Sequence, residues 1–233
     1  MKIKDRKIFF RSSFIIFAVT IIARVMPGLC NFMSPDACIY LNIGKNIFSG
    51  NGFTSSYNIY QHWKGIYSYS FPILPPIYPI LSGLSYAIFK SITGVIFINA
   101  LICAINSILI YLIIMYIYKK ETIAFWATLI ITLCSSMFVT SFYAWSEQLH
   151  LLFLFTALIL FFKNPVLDNN KLFKMGILFG LSFLIKLSSL VNILVLITFI
   201  FLMHKVNKKA FIYSIMLILG FCLILVPYEI FCM

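Results

Sequence analysis

The sequence predicts an all-α polytopic membrane bundle, and composition, hydropathy and charge placement each point to it separately. Hydrophobic residues make up 62% of the 233 and charged residues only 10%, with a mean hydropathy of +1.03. Soluble domains are roughly 45–50% apolar and ~25% charged. A chain this small has no interior able to hide so much apolar surface from water, so lipid must serve as its solvent. The 25 Phe and 13 Tyr suit lipid-facing surfaces and interfacial belts. The net charge of +12 does not indicate nucleic-acid binding. The basic residues lie in short runs between apolar stretches, the pattern that orients a membrane protein, and form neither a basic face nor an RNA-binding motif.

A spanning helix takes about 20 apolar residues to cross roughly 30 Å of hydrocarbon. Residues 8–28, 93–118, 121–141, 145–162 and 210–228 meet that requirement directly. The first of these follows Met-Lys-Ile-Lys-Asp-Arg-Lys and reads as a retained anchor, because no small-x-small cleavage site comes after it. The apolar run 172–204, interrupted by Lys186, would measure ~50 Å as one helix. It is therefore predicted to split near Lys186, Ser188 and Ser189 into two short, tilted passes. Residues 72–90 hold Pro72, Pro75, Pro76 and Pro79, which leave too little regular helix to cross, so this segment is placed on the outer surface.

Charge placement supports both assignments. With them, Lys2, Lys4, Arg6, Lys7, Arg11, Lys119, Lys120, Lys163, Lys171, Lys174, Lys205, Lys208 and Lys209 lie inside, thirteen of the 18 basic residues. A full span at 72–90 would instead move Lys119, Lys120, Lys163, Lys171 and Lys174 outside, against the positive-inside bias. The expected topology has about seven passes in one transmembrane domain over 1–233. The N-terminus is in the cytoplasm, the C-terminus is outside the plasma membrane, and one long external loop at about 29–92 carries juxtamembrane helices. Asp5, Glu121 and Asp168 then fall inside among lysines, whereas Asp36, Glu147 and Glu229 fall at the external face and are the candidates for chemistry. The six cysteines show no C-x-x-C or metal-ligand spacing and read mostly as packing residues. Cys30 and Cys38 are the pair able to meet in the external loop.

Within that loop Pro35 and Asp36 suit a helix start, where an acid meets the positive end of the dipole. Tyr40, Ile43 and Ile47 recur at helical spacing, and Gly50 and Gly52 end an amphipathic surface helix. On spacing alone Asp36 is an N-terminal helix charge. Glu147, in the first turn of a helix beside Trp145 and Ser146, has the same ordinary reading. Lys186 is costlier: an ammonium at mid-bilayer costs roughly 2.5–3.5 kcal/mol on insertion scales, so it reaches the headgroups by snorkelling or meets an anion such as a lipid phosphate. Arg24, near the outer end of the first span, faces the same choice, with snorkelling preferred. His62, Trp63, Tyr57, Tyr60, Tyr67 and Tyr69 fit an interfacial belt, with sugar stacking as the alternative. Gly176 and Gly180 form a small-x-x-x-small pair suited to close helix packing.

Four stretches in order carry a resemblance. Pro-Asp-Ala-x-x-Tyr-x-x-x-x-Lys-Asn-x-x-x-Gly-x-Gly-Phe (35–53) and Pro-Pro-Ile-Tyr-Pro-Ile-Leu (75–81) resemble the first external loop of GT-C glycosyltransferases related to protein O-mannosyltransferases and lipid A aminoarabinose transferases. Trp-Ser-Glu-Gln-Leu (145–149) and Gly-Ile-Leu-Phe-Gly-Leu-Ser-Phe-Leu-Ile-Lys (176–186) add to it. The resemblance implies a GT-C-like fold and transfer of a sugar, with inversion, from a polyprenyl-phosphate donor. The acceptor would be a lipid, glycan or protein at the extracytoplasmic face. It further implies Asp36 as, or beside, the general base. Lys186, Arg24 and Tyr40 become substrate contacts, and Glu147 an acceptor-positioning group or a ligand to a divalent metal. Many relatives carry Asp-Glu where this chain has Asp36-Ala37, and several carry His or Lys where Leu74 stands, so roles of those groups do not transfer. Such enzymes are usually longer, which makes an inactive fragment one alternative. A transporter or flippase is the other, although transporters favour broken, charged helices in paired repeats, and no internal repeat is visible.

The charge argument gives a direct test. Reporter fusions after Tyr60 are expected to read outside and fusions after Lys120 inside. An outside signal at Lys120 would refute the seven-pass arrangement.

Overall fold

A computed structural model describes residues 6–28, 34–55, 74–163, 166–205 and 207–232, and within them the chain is helical. In order the helices are α1 (Arg6–Gly28), α2 (Pro35–Phe48), α3 (Ile77–Phe89), α4 (Ile92–Tyr118) and α5 (Glu121–Leu133). They continue as α6 (Ser135–Phe142), α7 (Glu147–Lys163), α8 (Asn169–Phe183), α9 (Ser189–His204) and α10 (Lys208–Cys232). The segment with His62, Trp63, Tyr57, Tyr60, Tyr67 and Tyr69 lies outside the described residues, as do Cys30 and Asp5.

Among the described residues three helices are long and apolar enough to cross a membrane, over Ile8–Val25, Ile92–Tyr118 and Lys208–Ile230. α3 has 13 residues and rises about 20 Å, too little to span. Pro79 falls in its first turn, where a missing N–H has no intrahelical partner to lose. The run 172–204 is broken over residues 184–188 into α8 and α9, of 15 and 16 residues, at the position expected around Lys186.

The stretch 121–141 corrects its expectation of one continuous helix. Cys134, with ψ 151°, turns the chain out of α5 before α6 begins. No glycine or proline marks the break. It persists because Arg24, which is 1% exposed, donates from Nη2 to the carbonyl of Thr132 in the last turn of α5. A backbone carbonyl released from its helix inside an apolar bundle needs such a donor. Arg24 therefore does not snorkel.

α4 is the central element. α1 runs antiparallel to it, with Phe9 against Tyr111 at a ring separation of 5.8 Å and Thr20 Oγ1 3.4 Å from Ser107 Oγ. α7 runs parallel to it, since Leu149 packs with Ile102 while Leu151 and Phe155 pack further along beside Ile110. The starts of α4 and α7 consequently share one end of the bundle. α8 and α10 touch backbone to backbone: a Cβ on Gly176 would stand 2.1 Å from the Leu217 carbonyl oxygen, and one on Gly220 2.1 Å from that of Phe173. The expected role of Gly176 in close packing is thereby met.

α2 and α3 cross each other over the first turns of α4 through a second glycine contact. A Cβ at Gly44 would lie 2.4 Å from the Pro79 oxygen, and one at Gly83 2.5 Å from the Gly44 oxygen. α2 buries Ala37, Leu41 and Ile43, and Val95 and Ile96 of α4 pack on Ala37 and Leu41. The chain leaves α2 at Ser49 and turns through Gly50 and Gly52, whose φ values of 83° and 70° suit glycine. This crossing sets where the first turn of α2 stands over the bundle.

Candidate active site

At the shared end of the bundle, α2, the entry to α3, the entry to α7 and the α8–α9 break surround an opening of about 350 Å³, within the roughly 300–1,000 Å³ usual for small-molecule sites. Its walls carry Asp36, Tyr40, Trp145, Ser146, Glu147 and Lys186. Ile185, which lines it, belongs to a buried apolar cluster with Tyr78, Ile102 and Leu149 on which Tyr40 packs, and this cluster backs the opening as its floor. Ile102 lies ten residues into α4, so the floor is recessed about 15 Å from the start of that helix.

Asp36 stands in the first turn of α2, as its sequence suggested, yet it is not the cap. Ser34 is, its Oγ accepting from the Ala37 N–H at 3.2 Å. That hydroxyl in turn receives the Trp145 indole N–H at 2.5 Å, tying α2 to the entry of α7. Among the described residues no hydrogen bond or ion pair engages the Asp36 carboxylate, and it is exposed to the opening.

Lys186 meets an anion, one of the two alternatives that its place in an apolar segment left open. Its Nζ lies 2.5 Å from Glu147 Oε1, with the two side chains 39% and 28% exposed. The pair is within reach of solvent yet seated among apolar walls. Above it Tyr40, on the surface helix α2, places its hydroxyl 3.4 Å from Ser146 Oγ and its ring 5.0 Å from Tyr78, edge to face. Burial pushes the Tyr40 phenol above its ordinary value. The Ser146 hydrogen bond pulls the other way, while Asp36 and Glu147 raise it further and Lys186 lowers it. Tyr40 is thus a neutral phenol, able to donate its proton in a hydrogen bond.

The entry to α7 is held by backbone strain and buried amides. Ala144, fully buried, has φ +52°, a left-handed conformation costing roughly 1–2 kcal/mol for a residue with a Cβ. Its carbonyl accepts from the Tyr78 hydroxyl at 2.5 Å. Asn99 donates to the carbonyls of Thr140 and Ser141 at 3.1 and 2.9 Å, closing the end of α6. Asn106, two turns further along the same face of α4, donates to the backbone and side-chain oxygens of Gln148 at 2.7 and 3.1 Å. Gln148 donates to Thr140 Oγ1 at 2.6 Å. At the other side of the opening the Ile77 N–H donates to the Leu184 carbonyl at 3.2 Å, joining α3 to the α8–α9 break.

The site therefore gathers Asp36, Tyr40, Glu147 and Lys186, and leaves out Arg24, which is buried at the α5–α6 break. Among the described residues no three His, Cys, Asp or Glu side chains gather as a metal-binding group. Glu147 already faces an ammonium, which repels a cation, so these residues do not fit a divalent ion. Sequence reasoning missed Ser34, Tyr78, Asn99, Asn106 and Gln148. The signals available were Ser34 immediately before Pro35, a cap followed by a helix-starting proline, and the seven-residue spacing of Asn99 and Asn106 in a mostly apolar helix.

A family model described as dolichyl-phosphate-mannose-protein mannosyltransferase matches residues 74–229, about two thirds of the chain. The matched stretch contains Glu147 and Lys186 and begins after Asp36 and Tyr40. No curated protein and no solved structure matches the chain.

The contact between Glu147 and Lys186 is checked by a double-mutant cycle on thermal unfolding in detergent, with Glu147→Ala, Lys186→Ala and both. A partly exposed pair is expected to couple by about 0.2–1 kcal/mol. Strict additivity would mean that the two groups do not meet.

Proposed function

We propose, from the premise that this chain belongs to the dolichyl-phosphate-mannose-protein mannosyltransferase family, that its opening transfers a sugar from a polyprenyl-phosphate donor to an acceptor hydroxyl. The family membership makes it a GT-C-type membrane glycosyltransferase rather than a transporter. The finer statements concern donor, stereochemistry and side of the membrane.

The observation that carries the reading is one opening that holds the carboxylate of Asp36, unengaged among the described residues, together with an ammonium, Lys186. Glycosyl transfer from a phosphate needs those two charges on opposite sides of the sugar. An acceptor O–H gives its proton to Asp36, its oxygen forms a bond to the anomeric carbon, and the bond to the phosphate oxygen breaks with its electron pair leaving on the phosphate. Lys186 stabilises the charge that gathers there. Attack from the face opposite the leaving group inverts the anomeric centre in one step. Glu147 holds Lys186 in place until a phosphate arrives, and the neutral Tyr40 phenol donates to a sugar or phosphate oxygen. The positive-inside bias of the basic residues supports an opening at the extracytoplasmic face. The acceptor is a hydroxyl of a lipid, glycan or protein.

Asp36→Asn tests the reading. Ser34 supplies the cap, so the substitution leaves helix α2 and membrane insertion intact. Loss of a general base lowers rate by roughly 10²–10⁴-fold. Transfer assayed in active protein should fall accordingly while the thermal midpoint stays unchanged. Retention of more than about a tenth of the rate, well short of a base's contribution, would exclude Asp36 as the base.

A further inference from the structure

The α8–α9 break around Lys186 is tied to α7 by a buried polar triangle that the ion pair and the floor do not use. His150 stands one turn beyond Glu147, on the same side of α7. Its Nδ1 lies 2.8 Å from Ser182 Oγ and 2.9 Å from Ser189 Oγ. Ser189 Oγ donates to Ser182 Oγ at 3.0 Å, and both serines are fully buried. With a neutral ring protonated on Nε2 the groups form a relay, Ser189 donating to Ser182 and Ser182 to Nδ1, in which the Ser189 hydroxyl lies beside the ring nitrogen without donating to it.

Those two serines bracket Lys186. The Lys186 N–H donates to the Ser182 carbonyl at 3.0 Å, and the Ser189 N–H donates to the Lys186 carbonyl at 3.0 Å. Every hydrogen bond that fixes the backbone of Lys186 therefore leads to a residue whose hydroxyl meets His150. We propose that His150 is a positioning residue for Lys186: by accepting from Ser182, to which Ser189 donates, its ring nitrogen holds the α8–α9 break at the distance at which the ammonium reaches Glu147 and, on the glycosyl-transfer reading above, the donor phosphate. His150 touches neither partner itself. Glu147 and His150 leave the same side of α7, so one helix presents both the anion and the clamp, and the cation cannot shift along the groove without losing one of them.

Acylation of Lys186 by a water-soluble amine-reactive ester, resolved by residue with mass spectrometry, reports its release without any transfer assay. The full chain in lipid nanodiscs is used, with Lys119, exposed at the far end of α4, as the internal control. In His150→Ala the Lys186 rate is expected to rise about two- to fivefold, the range opened by loss of a partly exposed ion pair, with Lys119 unchanged. The decisive comparison is His150→Asn against His150→Gln. Asparagine carries its amide near the place of Nδ1 and should restore the wild-type rate. Glutamine carries its amide near Nε2 and should behave like alanine. A role in filling space predicts the reverse order, because glutamine is the larger side chain. Equal rates for Asn and Gln, the reversed order, or a Lys186 rate unaltered in all three variants would each overturn the proposal. The ordering does not depend on sugar transfer, so an inactive preparation with the expected ordering would count against the transfer reading and leave the clamp intact.

Discussion

The constraint on which the structure depends is that a helix broken inside an apolar bundle must find partners for the backbone groups it releases. In hydrocarbon each such group left alone costs several kcal/mol. Arg24 serves the end of α5 through the Thr132 carbonyl, Asn99 serves the end of α6, and the Tyr78 hydroxyl serves the Ala144 carbonyl. The Ile77 N–H serves the Leu184 carbonyl. Together these partners place the α7 entry and the α8–α9 break side by side, and the opening between them is a consequence.

That arrangement explains how charged chemistry can be kept beside lipid. Successive residues of a helix point about 100° apart, so the first turn of α7 sends Glu147 into the opening, Gln148 onto Asn106 of α4, and His150 toward Ser182 and Ser189. A turn pinned in three directions loses little further freedom when it binds, which is the condition for a preorganised site. The apolar floor of Tyr78, Ile102, Leu149 and Ile185 lowers the local dielectric and strengthens whatever Lys186 meets. Asp36, on a separate surface helix, is held over this floor by the Gly44–Gly83 crossing and by the Trp145–Ser34 hydrogen bond.

The legible features were those that local chemistry alone decides. The run 172–204 was too long for one pass and breaks where Lys186 interrupts it, and that ammonium, which had to reach the headgroups or find an anion, meets Glu147. The prolines before α3 and the glycines after α2 act through their own backbone limits, and Gly176 acts through the size of its side chain, so all were readable in one dimension. The break at Cys134 was hidden because its cause, Arg24, is 108 residues away in sequence. For the same reason Arg24 looked like a snorkelling residue: its partner is a backbone carbonyl, which has no signature in the sequence. Asp36 was read as a helix charge or a base, and the cap beside it proved to be Ser34, whose hydroxyl meets the Ala37 N–H and the Trp145 indole from 111 residues away. His150 gave no signal beyond its spacing from Glu147, since both of its hydroxyl partners lie across the α8–α9 break.

The central claim is that Lys186 is a phosphate-seeking cation held in reserve by Glu147. Equilibrium binding of a polyprenyl monophosphate to the purified chain in nanodiscs tests it most directly. Lys186→Ala should weaken binding by roughly tenfold or more, the scale of one charge-assisted hydrogen bond. Glu147→Gln, which removes the competing anion, should tighten it. Binding that is unchanged in Lys186→Ala, or weakened to the same degree in Glu147→Gln, would contradict the account.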